Sequence, residues 1–156
     1  MKMNQKDWKS KVVLDTCVIL RFFPGEEGAD NVNELLKQIE AGNVKGYVSV
    51  LTITELIVIL SRNEKVLNDS YKGVMQKCLY YVFKTLIVVP VGTDIAVIGA
   101  KYKLEYTKAS TEGKRGLSYV DGIIAATAER LGCGLLTYDP EFGGIEEIKV
   151  MSPDKF

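Results

Sequence analysis

Short apolar segments that alternate with helical patterns constrain the fold of this chain most strongly. Residues 11–15, KVVLD, form an apolar run that ends in an acid, and apolar positions at helical spacing follow in residues 29–40. The other apolar runs cover residues 46–50, 86–89, 135–139 and 148–151. Strands that are apolar throughout are typical of a parallel sheet buried on both faces. The pattern therefore predicts an α/β fold, a three-layer sandwich whose central parallel sheet carries helices on both faces.

The length and charge of the chain limit its organisation and its partners. Its 156 residues suit one domain that spans residues 1–156, with residues 1–10 as a short flexible start. No apolar stretch is long enough to cross a membrane, so we expect a cytoplasmic protein with no membrane partner. The formal net charge is zero, so nucleic acid would have to be bound through a local patch or a metal ion.

The absence of histidine excludes whole classes of catalysis. Without histidine there is no Ser-His-Asp or Cys-His chemistry and no imidazole ligand for a metal. The cysteines are odd in number and form no CxxC motif, so neither a disulfide framework nor a zinc cluster is expected. We interpret Cys17, Cys78 and Cys133 as buried small hydrophobic residues.

Four acids mark the predicted carboxyl edge of the sheet, where open parallel sheets bind ligands. Asp15 and Asp139 close two of the strands, and Glu55 lies in the first turn of a helix that the capping box Thr52-x-x-Glu55 would open. Asp121 lies in the first turn of another helix, but the sequence does not fix the sheet edge from which that helix starts. Converging carboxylates repel one another, so either some of them keep a proton or a cation binds among them, and an all-oxygen site suits Mg²⁺ or Mn²⁺. Helix caps and ordinary turn acids are the alternative explanation for these positions.

The sequence around these acids resembles the PIN-domain family. The segment VVLDTCVIL, residues 12–20, is similar to the opening strand of a PIN domain. The segment LSYVDGIIAATAERLGCGLLTYDPEF, residues 117–142, is similar to the carboxyl-terminal half of the family. Glu55, in TITEL, lies where the family's helix-borne acid is expected. The resemblance extends from about Lys11 to Met151, and the size and layout are similar to VapC-type toxins.

The resemblance implies a Mg²⁺- or Mn²⁺-dependent endoribonuclease that cuts RNA with metal-activated water and leaves a 5′-phosphate. It implies a catalytic and metal-binding site of four acids, with two threonines in support: Asp15, Glu55, Asp121 and Asp139, with Thr16 and Thr137. A cognate antitoxin, of the kind found in VapBC toxin–antitoxin pairs, and a homodimer are implied as well. The chain departs from the family pattern at Gly122, where a larger residue is common, and in a longer loop over residues 107–116.

Basic and aromatic residues near these motifs have two interpretations each. Lys108, Lys114 and Arg115, with Lys101 and Lys103, would form a phosphate clamp for RNA or simply a solvated surface. Arg21, Phe22 and Phe23 would form a rim that receives a partner, or aromatic core beside a surface arginine. Tyr80 and Tyr81, next to Val82 and Phe83, are interpreted as core rather than as a stacking platform for bases.

Three other functions compete with the toxin nuclease. A phosphatase of the haloacid-dehalogenase type also has an acid after its first strand, but it usually needs a second acid two residues later, where this chain has Cys17. A PIN fold could also act as a non-catalytic RNA- or protein-binding module. A stand-alone RNA-processing nuclease would use the same acids without an antitoxin.

Overall fold

The central sheet has five parallel strands. The computed structural model describes residues 8–22, 27–64, 70–108 and 116–156. The strands are β1 Lys11–Leu14, β2 Lys45–Ser49, β3 Ile87–Val89, β4 Gly134–Leu136 and β5 Val150–Met151. Their order is β3-β2-β1-β4-β5, and every neighbouring pair is parallel. The predicted α/β sandwich is therefore confirmed, and the carboxyl ends of β1 and β4 lie side by side at its centre. Of the expected flexible start, residues 1–7 lie outside the described residues.

Helices connect the strands and cover both faces of the sheet. They are α1 Thr16–Leu20, α2 Ala29–Glu40, α3 Val50–Glu64, α4 Ser70–Thr85, α5 Thr93–Lys108 and α6 Tyr119–Leu131. A short 3₁₀ segment lies after β4, at Pro140–Gly144, and another lies after β5, at Pro153–Lys155. None of the described helices is long and apolar enough to span a membrane.

Neighbouring strand residues contribute to opposite halves of the core. Val12 and Leu14 pack with α2, α3 and α4, whereas Val13 packs with α5 and α6 on the other face. In β4, Leu136 joins the first cluster and Leu135 the second. This alternation explains why the strands are apolar throughout, since each side chain meets a helix layer whichever way it points.

Two predicted boundaries near the acids were wrong, one at the start of a helix and one at the end of a strand. The helix that carries Glu55 begins at Val50, because Ser49 at the end of β2 accepts a hydrogen bond from the Leu51 N–H at 3.3 Å. Thr52 therefore lies inside the helix, and the predicted Thr52–Glu55 capping box does not form. Glu55, which was predicted in the first turn, lies beyond the first turn of α3. Strand β4 ends at Leu136 rather than near residue 139, because Asp139 caps the 3₁₀ segment that Pro140 opens.

Helix α4 presents large side chains to solvent. Val82 is buried and Tyr81 half-buried, as expected of core residues, but Tyr80 is 70% and Phe83 56% exposed. The core interpretation was therefore wrong for Tyr80 and Phe83. A run of four apolar residues in a helix always points some of them away from the core, and the sequence does not fix which ones.

Helices α5 and α6 touch at two glycines. A Cβ at Gly122 would lie 2.5 Å from the Gly99 carbonyl oxygen, and one at Gly99 would lie 2.8 Å from an Ile123 side-chain carbon. The departure from the family pattern at Gly122 thus has a packing reason, because only hydrogen fits between the two backbones.

Candidate acidic metal site

Asp15 lies at the junction between β1 and α1, at the carboxyl edge of the sheet. Its backbone N–H continues the ladder by donating to the Leu136 carbonyl at 3.0 Å. Its φ of −73° and ψ of 158° are those of an N-cap residue, and its Oδ1 accepts from the Thr16 N–H at 2.7 Å. The end of a buried strand and the start of a helix thereby fix this carboxylate in place.

The Asp15 carboxylate is almost completely buried and is held by three donors. Its side chain is 5% exposed. The Thr137 hydroxyl donates to Oδ2 at 2.7 Å, and the Cys17 thiol donates to the same oxygen at 3.0 Å. Burial raises the pKa of Asp15, the charge of Asp121 raises it further, and the three hydrogen bonds oppose that rise.

Glu55 reaches the same edge from α3. The Thr16 hydroxyl donates to its Oε2 at 2.5 Å, so Thr16 joins the first two acids of the site. Partial burial raises the pKa of Glu55, the hydrogen bond from Thr16 lowers it, and the charges of Asp121 and Asp15 add to the rise. Glu55 therefore lies within electrostatic range of both acids.

Asp121 caps its own helix and acts on the site as well. Its Oδ2 accepts from the Ser118 N–H at 2.8 Å, and its own N–H donates to the Ser118 hydroxyl at 3.1 Å, which completes a capping box. Its charge nonetheless raises the pKa of both Asp15 and Glu55. Asp121 therefore lies close enough to both acids to act on them electrostatically.

Asp139 joins the site through Thr137 rather than through its own carboxylate. Its Oδ1 accepts from the Glu141 N–H at 2.8 Å, as the cap of the 3₁₀ segment. Its backbone N–H donates to the Thr137 hydroxyl at 2.9 Å, and that hydroxyl donates to Asp15. Asp15, Glu55 and Asp121 therefore influence one another electrostatically, and Asp139 is linked to Asp15 through the Thr137 hydroxyl.

Cys17 is the residue of this site that the sequence interpretation missed. Cys78 and Cys133 are buried as expected, but Cys17 is half-buried and contacts the acid. Its Sγ lies 3.4 Å from the Thr137 hydroxyl and accepts from the Tyr138 N–H at 3.3 Å, in addition to its bond to Asp15. Burial raises its pKa to about 12, so the thiol stays neutral and donates. Its position two residues after Asp15, in the first turn of α1, was the available signal.

The donor set of the three grouped acids fits a hard divalent cation. No ion pair in the described part of the chain includes Asp15, Glu55 or Asp121, so their charge has no protein partner there. Three of the four lone-pair positions of Asp15 are occupied, which leaves one on Oδ1. Within the described residues no three Cys, Asp or Glu side chains lie close enough together to hold a metal ion.

The predicted RNA clamp is only partly visible. Lys114 and Arg115 lie outside the described residues, as does the side chain of Lys108. Lys103 donates to the Leu117 carbonyl at 2.5 Å, and Lys101 lies 4.0 Å from Glu105. Both lysines belong to α5, and each already has a partner in that helix or next to it.

Arg21 and Phe22 also have partners within the fold. The Arg21 guanidinium stacks 3.7 Å from the centre of the Tyr138 ring and donates to the Glu27 carbonyl at 2.8 Å. Phe22 stacks on Tyr81, with ring centres 4.9 Å apart, and packs against the core. Phe23 lies outside the described residues.

Comparison with known proteins identifies one family. The family model described as the PIN domain matches residues 12–148. FitAcB from Neisseria gonorrhoeae is 25% identical, with a TM-score of 0.67 over 93% of this chain and 99% of its own. DNA-bound VapBC from Salmonella typhimurium is 17% identical, with a TM-score of 0.70 over 92% of this chain and 98% of its own. VapBC2 from Rickettsia felis, bound to a DNA fragment from its promoter, is 18% identical, with a TM-score of 0.69 and coverages of 91% and 98%. No curated protein sequence gives a significant match.

Proposed function

The chain belongs to the PIN-domain family, and from that premise we propose that it is a Mg²⁺- or Mn²⁺-dependent endoribonuclease, the toxin of a VapBC-type pair. The observation that carries the proposal is the buried Asp15 carboxylate, which lies within electrostatic range of Glu55 and Asp121 without a basic partner in the described part of the chain. A charge cluster of this kind is costly for the fold unless it binds a cation.

Each acid has a distinct part in the proposed reaction. Asp15 and Asp121 hold the principal ion, Glu55 binds it directly or through water, and Asp139 orients the attacking water or completes a second ion site. When bound, the ion lowers the pKa of water and neutralises charge that develops on the phosphate. Thr137 and Thr16 keep the carboxylates of Asp15 and Glu55 in position through the hydrogen bonds described above.

The proposal is tested by cleavage of a structured RNA with the purified protein, in Mg²⁺, in Mn²⁺ and in EDTA. We expect metal-dependent cleavage that leaves 5′-phosphates. Asp15→Asn should reduce the rate by more than the roughly 10–100-fold that loss of an outer partner of a metal site costs. Asp30→Asn, which removes an exposed acid of α2, is the matched control and should cleave normally. Full activity of Asp15→Asn with an unchanged response to Mg²⁺ would refute the proposal, as would a wild type that binds RNA without cutting it.

We also propose a cognate antitoxin as the protein partner, with the complex acting in the cytoplasm. A toxin–antitoxin complex from Klebsiella pneumoniae with a similar fold supports this proposal. Co-expression with the product of the adjacent gene, followed by affinity purification and a cleavage assay, is the test. A complex that suppresses cleavage would support the pairing, and full activity in the presence of that product would exclude it.

Exposed apolar side chains on two helices support a proposed homodimer. Ile57 and Val58 on α3 are about two-fifths exposed, and Val97 and Leu104 on α5 are 65% and 63% exposed. Light scattering coupled to size-exclusion chromatography gives the mass directly, and a mass of one chain at micromolar concentration would reject the dimer.

A further inference from the structure

A cavity of about 430 Å³ opens beside the acidic site, between the segment that follows β4 and strand β5. Its lining includes Thr137, Asp139, Pro140, Met151 and two lysines, Lys149 and Lys155. Its volume falls in the range of about 300–1,000 Å³ typical of small-ligand sites. The cavity can therefore hold a group as large as one nucleotide.

The cavity and the acidic site share a wall. Thr137 lines the cavity, and its hydroxyl donates to Asp15 Oδ2 at 2.7 Å. Asp139 lines the cavity too, and its N–H donates to that same hydroxyl at 2.9 Å. A nucleotide in the cavity would thus lie next to the residues that hold Asp15, where the neighbour of a scissile phosphate must lie.

The cavity combines positive charge with an apolar surface. Lys149 and Lys155 are exposed, and neither takes part in an ion pair among the residues that the structure describes. The Lys149 ammonium lies 5.8 Å from the centre of the Trp8 ring, so a phosphate would compete with that contact. Lysine binds phosphate as a point charge, whereas the acids next door repel it. Pro140 and Met151 supply an apolar surface against which a base can pack.

We propose that this cavity is an RNA subsite, which binds the nucleotide next to the cleaved phosphodiester through Lys149, Lys155 and the apolar wall. The proposal rests on the proposed function and adds to it the surface that positions the substrate. It also explains how a chain with zero net charge binds RNA beside an acidic centre.

The first test measures how the affinity for RNA depends on salt. A labelled single-stranded RNA is titrated by fluorescence anisotropy in Mg²⁺, in an Asp121→Asn background that keeps the RNA intact. Each lost phosphate contact should reduce the slope of log Kd against log salt by about 0.7, so Lys149→Ala with Lys155→Ala should reduce it by about 1.4. The matched control is Lys37→Ala with Lys84→Ala, a pair of exposed lysines on α2 and α4, which should leave the slope unchanged.

The second test fills the cavity without changing its charge. Gly143 lines the cavity, and a Cβ there meets no atom within 4 Å, so a larger side chain is accommodated. Gly143→Phe should weaken RNA binding at least tenfold because the ring takes the place of the base, whereas Gly143→Ala should bind as the parent does. Melting temperatures of both variants show whether each is folded.

The outcomes separate the two proposals. If the parent binds RNA but neither the lysine pair nor Gly143→Phe changes the slope or the affinity, the cavity is not a subsite, while the nuclease proposal stands. If the parent binds no RNA at all, the subsite fails, whereas the nuclease proposal is decided separately by the cleavage assay with the wild type. An equal loss for the control pair of lysines would overturn the subsite as well, because it would show attraction by overall charge alone.

Discussion

Replacing Asp121 with asparagine should stabilise the metal-free protein and weaken its response to Mg²⁺. Asparagine keeps an oxygen that can accept the hydrogen bond from the Ser118 N–H, so the cap of α6 is retained. What the substitution removes is a negative charge that acts on both Asp15 and Glu55. The experiment therefore isolates the repulsion that Asp121 exerts on Asp15 and on Glu55.

The magnitude follows from Coulomb's law. At about 6 Å, the range over which a like charge shifts a pKa, two carboxylates repel by about 3 kcal/mol at an effective dielectric of 20. Solvent reaches Glu55 and Asp121, so for the two pairs together we expect roughly 2 kcal/mol after screening. Loss of a charge that interacts favourably with the helix dipole subtracts about 0.5 kcal/mol. The net gain of about 1.5 kcal/mol corresponds to a rise of about 3–6 °C in Tm for a chain of this size.

Thermal unfolding followed by circular dichroism, at pH 7 and low salt, gives both numbers. In the wild type, Mg²⁺ at a hundred times its Kd should add about 2.7 kcal/mol, or about 5–11 °C. Asp121→Asn should start higher in EDTA and gain less than half as much from Mg²⁺. Asp30→Asn, an exposed first-turn acid of α2, controls for the helix dipole alone. If Asp121→Asn melts below the wild type in EDTA, or gains as much from Mg²⁺, the three acids do not act as one charged cluster.

Three further measurements test other parts of the structure. Burial and the charge of Asp121 raise the pKa values of Asp15 and Glu55, so stability is lost as the pH rises through those raised values. The Tm difference between Asp121→Asn and the wild type in EDTA should therefore be largest near pH 7 and shrink toward pH 4; a constant difference would contradict the coupling. Cys17→Ser should keep the cleavage rate, because a hydroxyl can also donate a hydrogen bond to Asp15. Cys17→Val removes the donor and should slow cleavage roughly 10–100-fold. Equal rates for the two variants would show that the thiol does not position Asp15. Gly122→Ala should lower the free energy of unfolding, measured by urea titration, by about 1–3 kcal/mol, because its Cβ would clash with the Gly99 carbonyl oxygen. An unchanged free energy of unfolding would mean that α5 and α6 separate easily.

The sequence predicted the sheet well because its signals are local and physically unambiguous. A strand that is apolar throughout can bury all its side chains only between two layers of helices. An acid that follows such a strand lies at the carboxyl edge of the sheet. Asp15 and the parallel sheet were predictable on that ground alone. The family resemblance supplied Asp121, whose edge depends on the path of a long connection that residue patterns do not fix.

The errors came from competition between equivalent local signals. Ser49 and Thr52 are both good helix caps, and only the tertiary position of β2 decides that Ser49 is used. Cys17 was interpreted as apolar because thiols are usually buried and inert, yet the Asp15 carboxylate two residues earlier gives it an acceptor. In both cases the missing information was a contact and not a propensity.

The contact between Gly99 and Gly122 ties the chemistry of the site to a helix that contributes no acid to it. Asp121 is the residue immediately before Gly122, so the first turn of α6, which carries this carboxylate, lies directly against the α5 backbone. A side chain at either glycine would force the two helices apart and shift the first turn of α6.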